Sequence, residues 1–220
     1  MTTFLRIFFC FTLLVGANAA IASPDHRIIF FGDSLTAGFG LDESQAYPAL
    51  VAESLREKGW TGEVVNAGLS GEATGGGLAR VDWILRGEVD IFVLALGAND
   101  ALRGHPVGGT KENLKGIIEK VKKARPEAEV VLVGLKAPPN LGRNFREAFD
   151  PIFPSVAEEM EVTFVPFLLE GVAGERELNL PDGIHPNAEG QKILAENVYP
   201  TIHCLVFGEE STSPEEGAVK

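Results

Sequence analysis

The sequence predicts an α/β fold, a doubly wound parallel sheet with helices on both faces, from two features of its 220 residues. Short runs of bulky apolar residues, most without polar alternation, recur along the chain, as expected for strands buried on both faces. Between them, apolar residues repeat every three to four positions, which is the period of a helix with one buried face. The resulting order of strand, helix and strand favours a parallel sheet, whose ligands gather at the carboxyl ends of the strands.

Five strands and the helices between them account for most of the chain. The predicted strands are 26–31, 64–66, 91–96, 130–135 and 163–167. The predicted helical segments are 47–55, 78–85, 114–121, 143–160 and 190–198. Pro151 and Pro154 predict a break in the fourth of these near Asp150, because proline lacks the N–H group that a helix interior needs.

The two ends of the chain differ from the region between them. Residues 1–22 combine a lone Arg6, an apolar run over 7–16 and small residues before possible cleavage after Ala19 or Ala22, the pattern of a secretory signal peptide. The run is shorter than the ~20 residues that span a bilayer, so we expect cleavage rather than an anchor. Residues 208–220 predict a disordered acidic tail. One domain is predicted at 24–207, exported to the periplasm or secreted.

Charge and cysteine content restrict the partners. Without residues 1–22 the chain has 18 Lys and Arg against 31 Asp and Glu, a formal charge of −13. No basic stripe offsets these acids, so nucleic acid is excluded as an expected partner. Only Cys204 remains, and a single thiol cannot form an internal disulfide. No cluster of ligand-type residues surrounds the histidines, so we predict no metal or other cofactor. No apolar run after residue 22 is long enough to span a bilayer, and we expect a monomer.

Residues able to carry chemistry follow the predicted strands. Ser34 comes after the first strand, Gly68 after the second and Asn99 after the third, and Asp182 and His185 precede the last helix. A parallel sheet brings such positions to one edge. A serine becomes a nucleophile when a base removes its proton and a third group holds that base, which His185 and Asp182 can do from one loop. The N–H groups of Ser34 and Gly68 and the amide of Asn99 can form an oxyanion hole.

Each of these residues also has a purely structural explanation. A Gly-Asp-Ser turn is a common helix N-cap, glycine and asparagine form turns, and Asp182 can cap a turn. Their joint occurrence, in this order and at these element boundaries, favours catalysis. We expect Asp33 and Asp100 to fix loop geometry rather than to transfer protons.

Four segments resemble the sequence blocks of the GDSL, or SGNH, hydrolase family. They are FGDSLTAGFGL, NAGLSGEATGGGLAR, LGANDALRG and DGIHPNAEGQKILAENVY. Together with APPNLGRNFREAFDPIFP they are most similar to the bacterial periplasmic branch of arylesterases, acyl-CoA thioesterases and lysophospholipases, over about residues 27–202. The resemblance implies a flavodoxin-like three-layer α/β/α sandwich with a five-stranded parallel sheet, and hydrolysis without a metal. The family's serine, glycine, asparagine, aspartate and histidine positions are assigned to Ser34, Gly68, Asn99, Asp182 and His185.

The predicted reaction is hydrolysis of a small-molecule acyl ester or thioester through an acyl-enzyme on Ser34, with His185 as base and Asp182 as its orienting partner. One alternative is a carbohydrate O-deacetylase on the same fold, which the chain's two Trp and two Tyr disfavour. Another is a non-catalytic acyl-chain binding protein, which the intact set of three residues disfavours. The resemblance also places an acyl chain near the loops after the third and fourth strands. The candidates for that groove wall are Leu102, Arg103, Pro138, Pro139 and Leu141.

Overall fold

A computed structural model describes residues 26–208 of the chain, and a single five-stranded parallel sheet forms its centre. The predicted signal peptide and residues 209–220 of the predicted tail lie outside the described residues. The strands lie in the spatial order β2-β1-β3-β4-β5, and every neighbouring pair is parallel. Their bounds are β1 Arg27–Gly32, β2 Glu63–Gly68, β3 Ile91–Ala95, β4 Glu129–Val133 and β5 Thr163–Val165.

Eight α-helices lie among the described residues. They are α1 Ser34–Ala37, α2 Tyr47–Glu57, α3 Thr74–Ile84, α4 Ala98–Leu102, α5 Val107–Ala124, α6 Arg143–Phe149, α7 Ile152–Glu159 and α8 Ala188–Phe207. Short 3-10 turns span Glu43–Gln45, Pro139–Leu141 and Arg176–Leu178. The predicted break near Asp150 is confirmed, since α6 ends at Phe149 and α7 begins at Ile152. Helix α3 corresponds to the predicted segment 78–85 but begins four residues earlier, at Thr74. The sequence pattern missed this start because the first turn of α3 contains the glycines 75–77.

The helices cover both faces of the sheet. Phe30 and Phe31 are adjacent on β1 and point to opposite faces, as alternation along a strand requires. Phe30 packs edge-on against Tyr47 of α2, with ring centroids 5.4 Å apart. Phe31 lies against Gly77 of α3, whose other neighbours include Ile117 of α5. Helix α2 also packs on α8, and α5 packs on α3 and α7. The predicted three-layer α/β/α sandwich is therefore confirmed.

The strand order locates the site. From β1 the chain crosses to β2 on one side and then returns to β3 on the other side, so the connections diverge at the carboxyl ends of β1 and β3. A crevice opens where connections diverge in this way, and ligands of such sheets bind there. Ser34 lies in α1, the first helix after β1, and Asn99 lies in α4, the first helix after β3. Over residues 26–208, every helix is too short or too polar to cross a bilayer.

Candidate active site

Ser34, His185 and Asp182 form one continuous hydrogen-bonded chain. The Oγ atom of Ser34 lies 2.9 Å from Nε2 of His185, and Nδ1 of His185 lies 2.7 Å from Oδ2 of Asp182. Ser34 comes from helix α1 and the other two residues from one loop, with Ser34 and His185 151 residues apart in the sequence. A carboxylate only accepts hydrogen bonds, so Asp182 places the ring proton on Nδ1 and leaves Nε2 to accept the proton of Ser34.

Asp182 is held as a carboxylate by its hydrogen bonds. Its Oδ1 accepts from the backbone N–H groups of Ile184 and His185 at 2.9 and 3.0 Å, while Oδ2 faces the His185 ring. The His185 side chain first, and then the two backbone N–H groups, lower the pKa of Asp182 from 3.8 to about 2. Asp182 therefore stays charged in the pH range where an imidazole can act as a base.

Ser34 is presented by the very short helix α1. Asp33 caps this helix by accepting from the N–H of Leu35 at 3.0 Å. Asn66 of β2 donates to the carbonyl of Thr36 at 2.9 Å, which ties the helix to the sheet. Gln191 of α8 donates to the carbonyl of Leu35 at 3.2 Å. Four residues of helix would be marginal alone, so these side chains from β2 and α8 hold the nucleophile in place.

The loop that carries His185 is fixed at both of its ends. The N–H of Leu180 donates to the carbonyl of His185 at 2.7 Å, and Asn179 pairs with Pro186 in an antiparallel bridge. Asn187 then caps α8 by accepting from two backbone N–H groups at its start. The ring of Phe39 lies 4.4 Å from the His185 ring, measured between centroids. His185 therefore approaches Ser34 from a loop anchored on both sides.

Asn99 faces two acceptors. Its side-chain nitrogen lies 3.1 Å from the carbonyl oxygen of Glu72 and 3.4 Å from Oδ2 of Asp33. The first contact is an ordinary hydrogen bond, whereas the second is long and therefore weak. The amide is oriented by the neighbouring loops, and the N–H directed at Asp33 can donate to a stronger acceptor instead at small cost.

Asp33 is completely buried, and burial raises its pKa from 3.8 to about 6. The hydrogen bonds from Leu35 and Asn99 offset only part of that effect. A group whose folded pKa is raised resists ionisation in the folded chain, so stability falls as the pH rises from 3.8 to about 6. The expected loss is roughly 3 kcal/mol, and it persists at higher pH.

Asp33→Asn removes this pH dependence while retaining an oxygen that can cap α1. We expect the free energy of unfolding of the variant, relative to wild type, to rise by about 2 kcal/mol between pH 4 and pH 7. Urea unfolding of both proteins at the two pH values measures this difference. A difference between variant and wild type that is the same at both pH values would contradict the elevated pKa of Asp33.

The structure distinguishes Gly68, the last residue of β2, from Gly71, which lies beyond the strand. The N–H of Gly68 already donates to Oδ1 of Asn66 at 3.0 Å, and a Cβ atom at Gly68 would lie 2.3 Å from the backbone nitrogen of Ala37. Gly68 thus serves the close packing of β2 on α1. Gly71, with a φ of +83°, lines the same cavity as Ser34 and Asn99. The N–H of Gly68 is therefore engaged within the fold, whereas Gly71 faces the cavity.

A cavity of about 820 Å³ opens beside Ser34 and His185. Its lining is mostly apolar and includes Phe39, Leu102, Leu135, Pro138, Pro139 and Ile184. Lys136 and Arg146 are the cationic side chains in the lining, as far as the described residues show. Leu102, Pro138 and Pro139 thus lie where the groove wall was predicted. Phe39 and Ile184 were not predicted, because both stand in loops where sequence periodicity carries no signal.

Two predicted groove residues lie elsewhere. Leu141 is half-buried and packs against the hydrophobic core. The guanidinium of Arg103 donates to the carbonyl of Gly71 at 2.7 Å instead of lining the cavity. Asp100 is buried and accepts from the backbone N–H and the hydroxyl of Thr74, which agrees with a role in loop geometry. Cys204 is exposed on α8. Across residues 26–208, no three His, Cys, Asp or Glu side chains are grouped as metal ligands.

Comparison with known proteins gives the family. A model of the GDSL-like Lipase/Acylhydrolase family matches residues 30–193, which include all three members of the hydrogen-bonded chain. The chain belongs to this family. The predicted resemblance is confirmed, and GDSL-like membership makes this protein an enzyme of the carboxylic ester and thioester hydrolase class.

Relatives within the GDSL-like family match nearly the whole chain. Esterase TesA of Pseudomonas aeruginosa is 39% identical over 199 residues, covering 90% of this chain and 96% of the relative. Thioesterase 1/protease 1/lysophospholipase L1 of Escherichia coli K12 is 38% identical, covering 90% and 92%. The crystal structure of TesA superposes with a TM-score of 0.78 over 82% of this chain and 99% of that one. Esterase EstA from Pseudoalteromonas sp., 30% identical, superposes with a TM-score of 0.76 over 81% and 97%.

Proposed function

We propose that this enzyme hydrolyses acyl esters and thioesters through an acyl-enzyme on Ser34. The observation that carries the proposal is the hydrogen-bonded chain from Ser34 through His185 to Asp182, placed on the wall of a mainly apolar cavity. The names of the relatives, an esterase and a thioesterase with lysophospholipase activity, support the same reaction class.

The geometry supports a two-step route. Nε2 of His185 takes the proton of Ser34 as Oγ attacks the acyl carbon, and the imidazolium then protonates the departing alcohol or thiol. Water then attacks the acyl carbon while His185 removes its proton. The imidazolium returns that proton to Oγ of Ser34 as the ester bond breaks and the carboxylic acid leaves. Asp182 stabilises the imidazolium in both steps without taking up its proton.

We place the oxyanion hole at the N–H groups of Ser34 and Gly71 and the side-chain amide of Asn99. Ser34 is the first residue of α1, and the first N–H groups of a helix have no partner within it. Gly71 and Asn99 lie on the same cavity wall as Ser34. An oxyanion in the cavity is a stronger acceptor than the distant Asp33 carboxyl. The Asn99 N–H that makes the 3.4 Å contact can therefore donate to the oxyanion instead.

Asn99→Ala tests this oxyanion hole. The amide stabilises charge that develops only in the transition state, so kcat is expected to fall by roughly 10²-fold with KM changed only a few-fold. Steady-state kinetics and a melting curve on the same preparation measure this. A variant that melts several degrees lower but turns over normally would show that Asn99 only shapes its loop.

The cavity wall favours acyl chains over sugars. Phe39, Leu102 and Ile184 are each 43–48% exposed and line the cavity, so they offer apolar surface to a ligand. Burial of such surface stabilises a bound alkyl chain by about 0.8 kcal/mol per methylene. A carbohydrate O-deacetylase would need polar groups at these positions instead.

Export through residues 1–22 and a monomeric state stay predictions.

The proposed function is tested with a panel of p-nitrophenyl esters from two to sixteen carbons, together with acyl-CoA and a lysophospholipid. We expect turnover of the esters, and labelling of Ser34 by a fluorophosphonate probe; EstA from Pseudoalteromonas sp. is described as inhibited by a phosphonate. Ser44→Ala, at an exposed serine, is the matched control and should label normally. Binding of acyl chains without turnover or labelling would favour the non-catalytic alternative.

A further inference from the structure

The turn that carries Gly71 has little internal support. Glu72 donates from its backbone N–H to the carbonyl of Leu69 at 3.0 Å, which closes the turn. Gly71 itself adopts a φ of +83°, a region that glycine enters freely and leaves freely. Contacts from outside the turn must therefore fix the direction of the peptide groups around Gly71.

Arg103 supplies one such contact. Its Nη2 donates to the carbonyl oxygen of Gly71 at 2.7 Å, the length of a strong charge-assisted hydrogen bond. Arg103 also ends helix α4, and its backbone N–H donates to the carbonyl of Asn99 at 3.1 Å. One residue therefore links the backbone of Asn99 to the backbone of Gly71.

Glu72 supplies the other contacts. Its carbonyl accepts the side-chain amide of Asn99 at 3.1 Å, and its buried carboxylate pairs with Arg80 of α3, whose Nε lies 2.9 Å from Oε1. Gly71 and Glu72 thus attach the turn to α4, and Glu72 also attaches it to α3. Of these attachments, the one through Arg103 holds Gly71 directly.

We propose that Arg103 is a positioning residue, which holds the Gly71 N–H and the Asn99 amide at the separation that a tetrahedral oxyanion requires. The inference rests on the proposed function. Arg103 does not line the cavity, so it acts through Gly71 rather than by touching the substrate. Reacting groups displaced by about 1 Å can cost on the order of 10²-fold in rate, which sets the scale of the effect.

Arg103→Ala is expected to lower kcat by roughly 10-fold to 100-fold on a p-nitrophenyl ester, with KM changed less than about 3-fold. Arg103→Lys keeps the charge and one donor, and should retain more activity. Added guanidinium ion should partly restore the alanine variant but not Asn99→Ala. Arg86→Ala is the matched control. Arg86 is exposed between α3 and β3, at the amino end of that strand and so at the end of the sheet opposite the active site.

Two further measurements separate positioning from other roles. A trifluoromethyl ketone that forms a tetrahedral adduct on Ser34 should bind the alanine variant more weakly, in proportion to the loss in kcat/KM. The double variant with Asn99→Ala should lose less than the product of the two single losses, since both act on one oxyanion.

Other outcomes would overturn the inference. A raised KM with unchanged kcat would make Arg103 a substrate contact, and a loss of activity that follows only the folded fraction, measured by circular dichroism, would make it structural. If Arg103→Ala does not fold, the same kinetic split on Arg103→Lys decides. If the wild type is active and Arg103→Ala leaves kcat unchanged, only the role of Arg103 is overturned. An inactive wild type overturns the proposed function instead.

Discussion

Ser34→Ala and His185→Ala are each expected to lower kcat by roughly 10⁴-fold or more and to leave the fold unchanged. Without Oγ there is no atom to receive the acyl group, and without Nε2 no group at 2.9 Å takes the proton of Ser34. Both side chains lie at the cavity wall rather than in the hydrophobic core, so their removal leaves the packing of the sheet intact. Ester turnover, together with far-ultraviolet circular dichroism, measures the two effects.

The double variant provides the control for this prediction. Residues that act as a unit have non-additive effects, so Ser34→Ala combined with His185→Ala should be no slower than either single variant within about 10-fold. The Ser34→Ala protein should also lose fluorophosphonate labelling, while Ser44→Ala keeps it. A single variant that folds normally and retains more than about 1% of wild-type turnover would remove that residue from the catalytic assignment.

The sheet could be predicted because its signal is local. Three of its strands, β1, β3 and β4, contain at least three consecutive bulky apolar residues, and in a parallel sheet covered on both faces such runs have few alternatives. The start of α3 could not be predicted in the same way. Residues 75–77 are glycines, which disfavour a helix by intrinsic propensity. In the folded chain Gly77 lies against Phe31 and Leu96, where a larger residue would not fit.

The sequence does not distinguish Gly68 from Gly71 as a donor in the oxyanion hole, because the difference between them is tertiary. From the sequence, either backbone N–H could serve as a donor, since Gly68 ends β2 and Gly71 follows three residues later. The difference lies in their tertiary surroundings: Gly68 pairs with Gly32 of β1 and packs on α1, whereas Gly71 stands beyond the strand in a turn. The last residue of a strand is occupied by pairing and packing, as Gly68 is by Gly32 and α1. A donor to a ligand is more readily placed after the strand.

Arg103 was predicted as part of the groove wall because it lies after the third strand, where the family resemblance places an acyl chain. It follows Leu102, which does line the cavity, and both residues lie just after Asn99. On a helix, however, neighbouring residues point about 100° apart, so adjacent side chains face different surroundings. Leu102 therefore faces the cavity while Arg103 reaches Gly71 on the loop after β2. Only the arrangement of the two loops decides such a contact.

Asp182→Asn is expected to lower kcat by roughly 10³-fold to 10⁴-fold, less than the loss of Ser34. The asparagine oxygen can still accept from the backbone N–H groups of Ile184 and His185, so the loop should keep its shape. Its NH₂ group then faces Nδ1 of His185 and donates to it. The ring proton moves to Nε2, which can no longer accept the proton of Ser34.

The effect of Asp182→Asn should be confined to catalysis. We expect a melting temperature within a few degrees of wild type, an unchanged KM and a low kcat from pH 6 to pH 8, because the wrong tautomer persists throughout. Asp82→Asn is the matched control, since Asp82 is an exposed aspartate on α3 that pairs only with Lys120 at 2.8 Å among the described residues. Retention of more than about one tenth of wild-type kcat would mean that Asp182, 37% exposed, is replaced by water as the partner of His185. That result would limit the catalytic machinery to Ser34, His185 and the oxyanion hole.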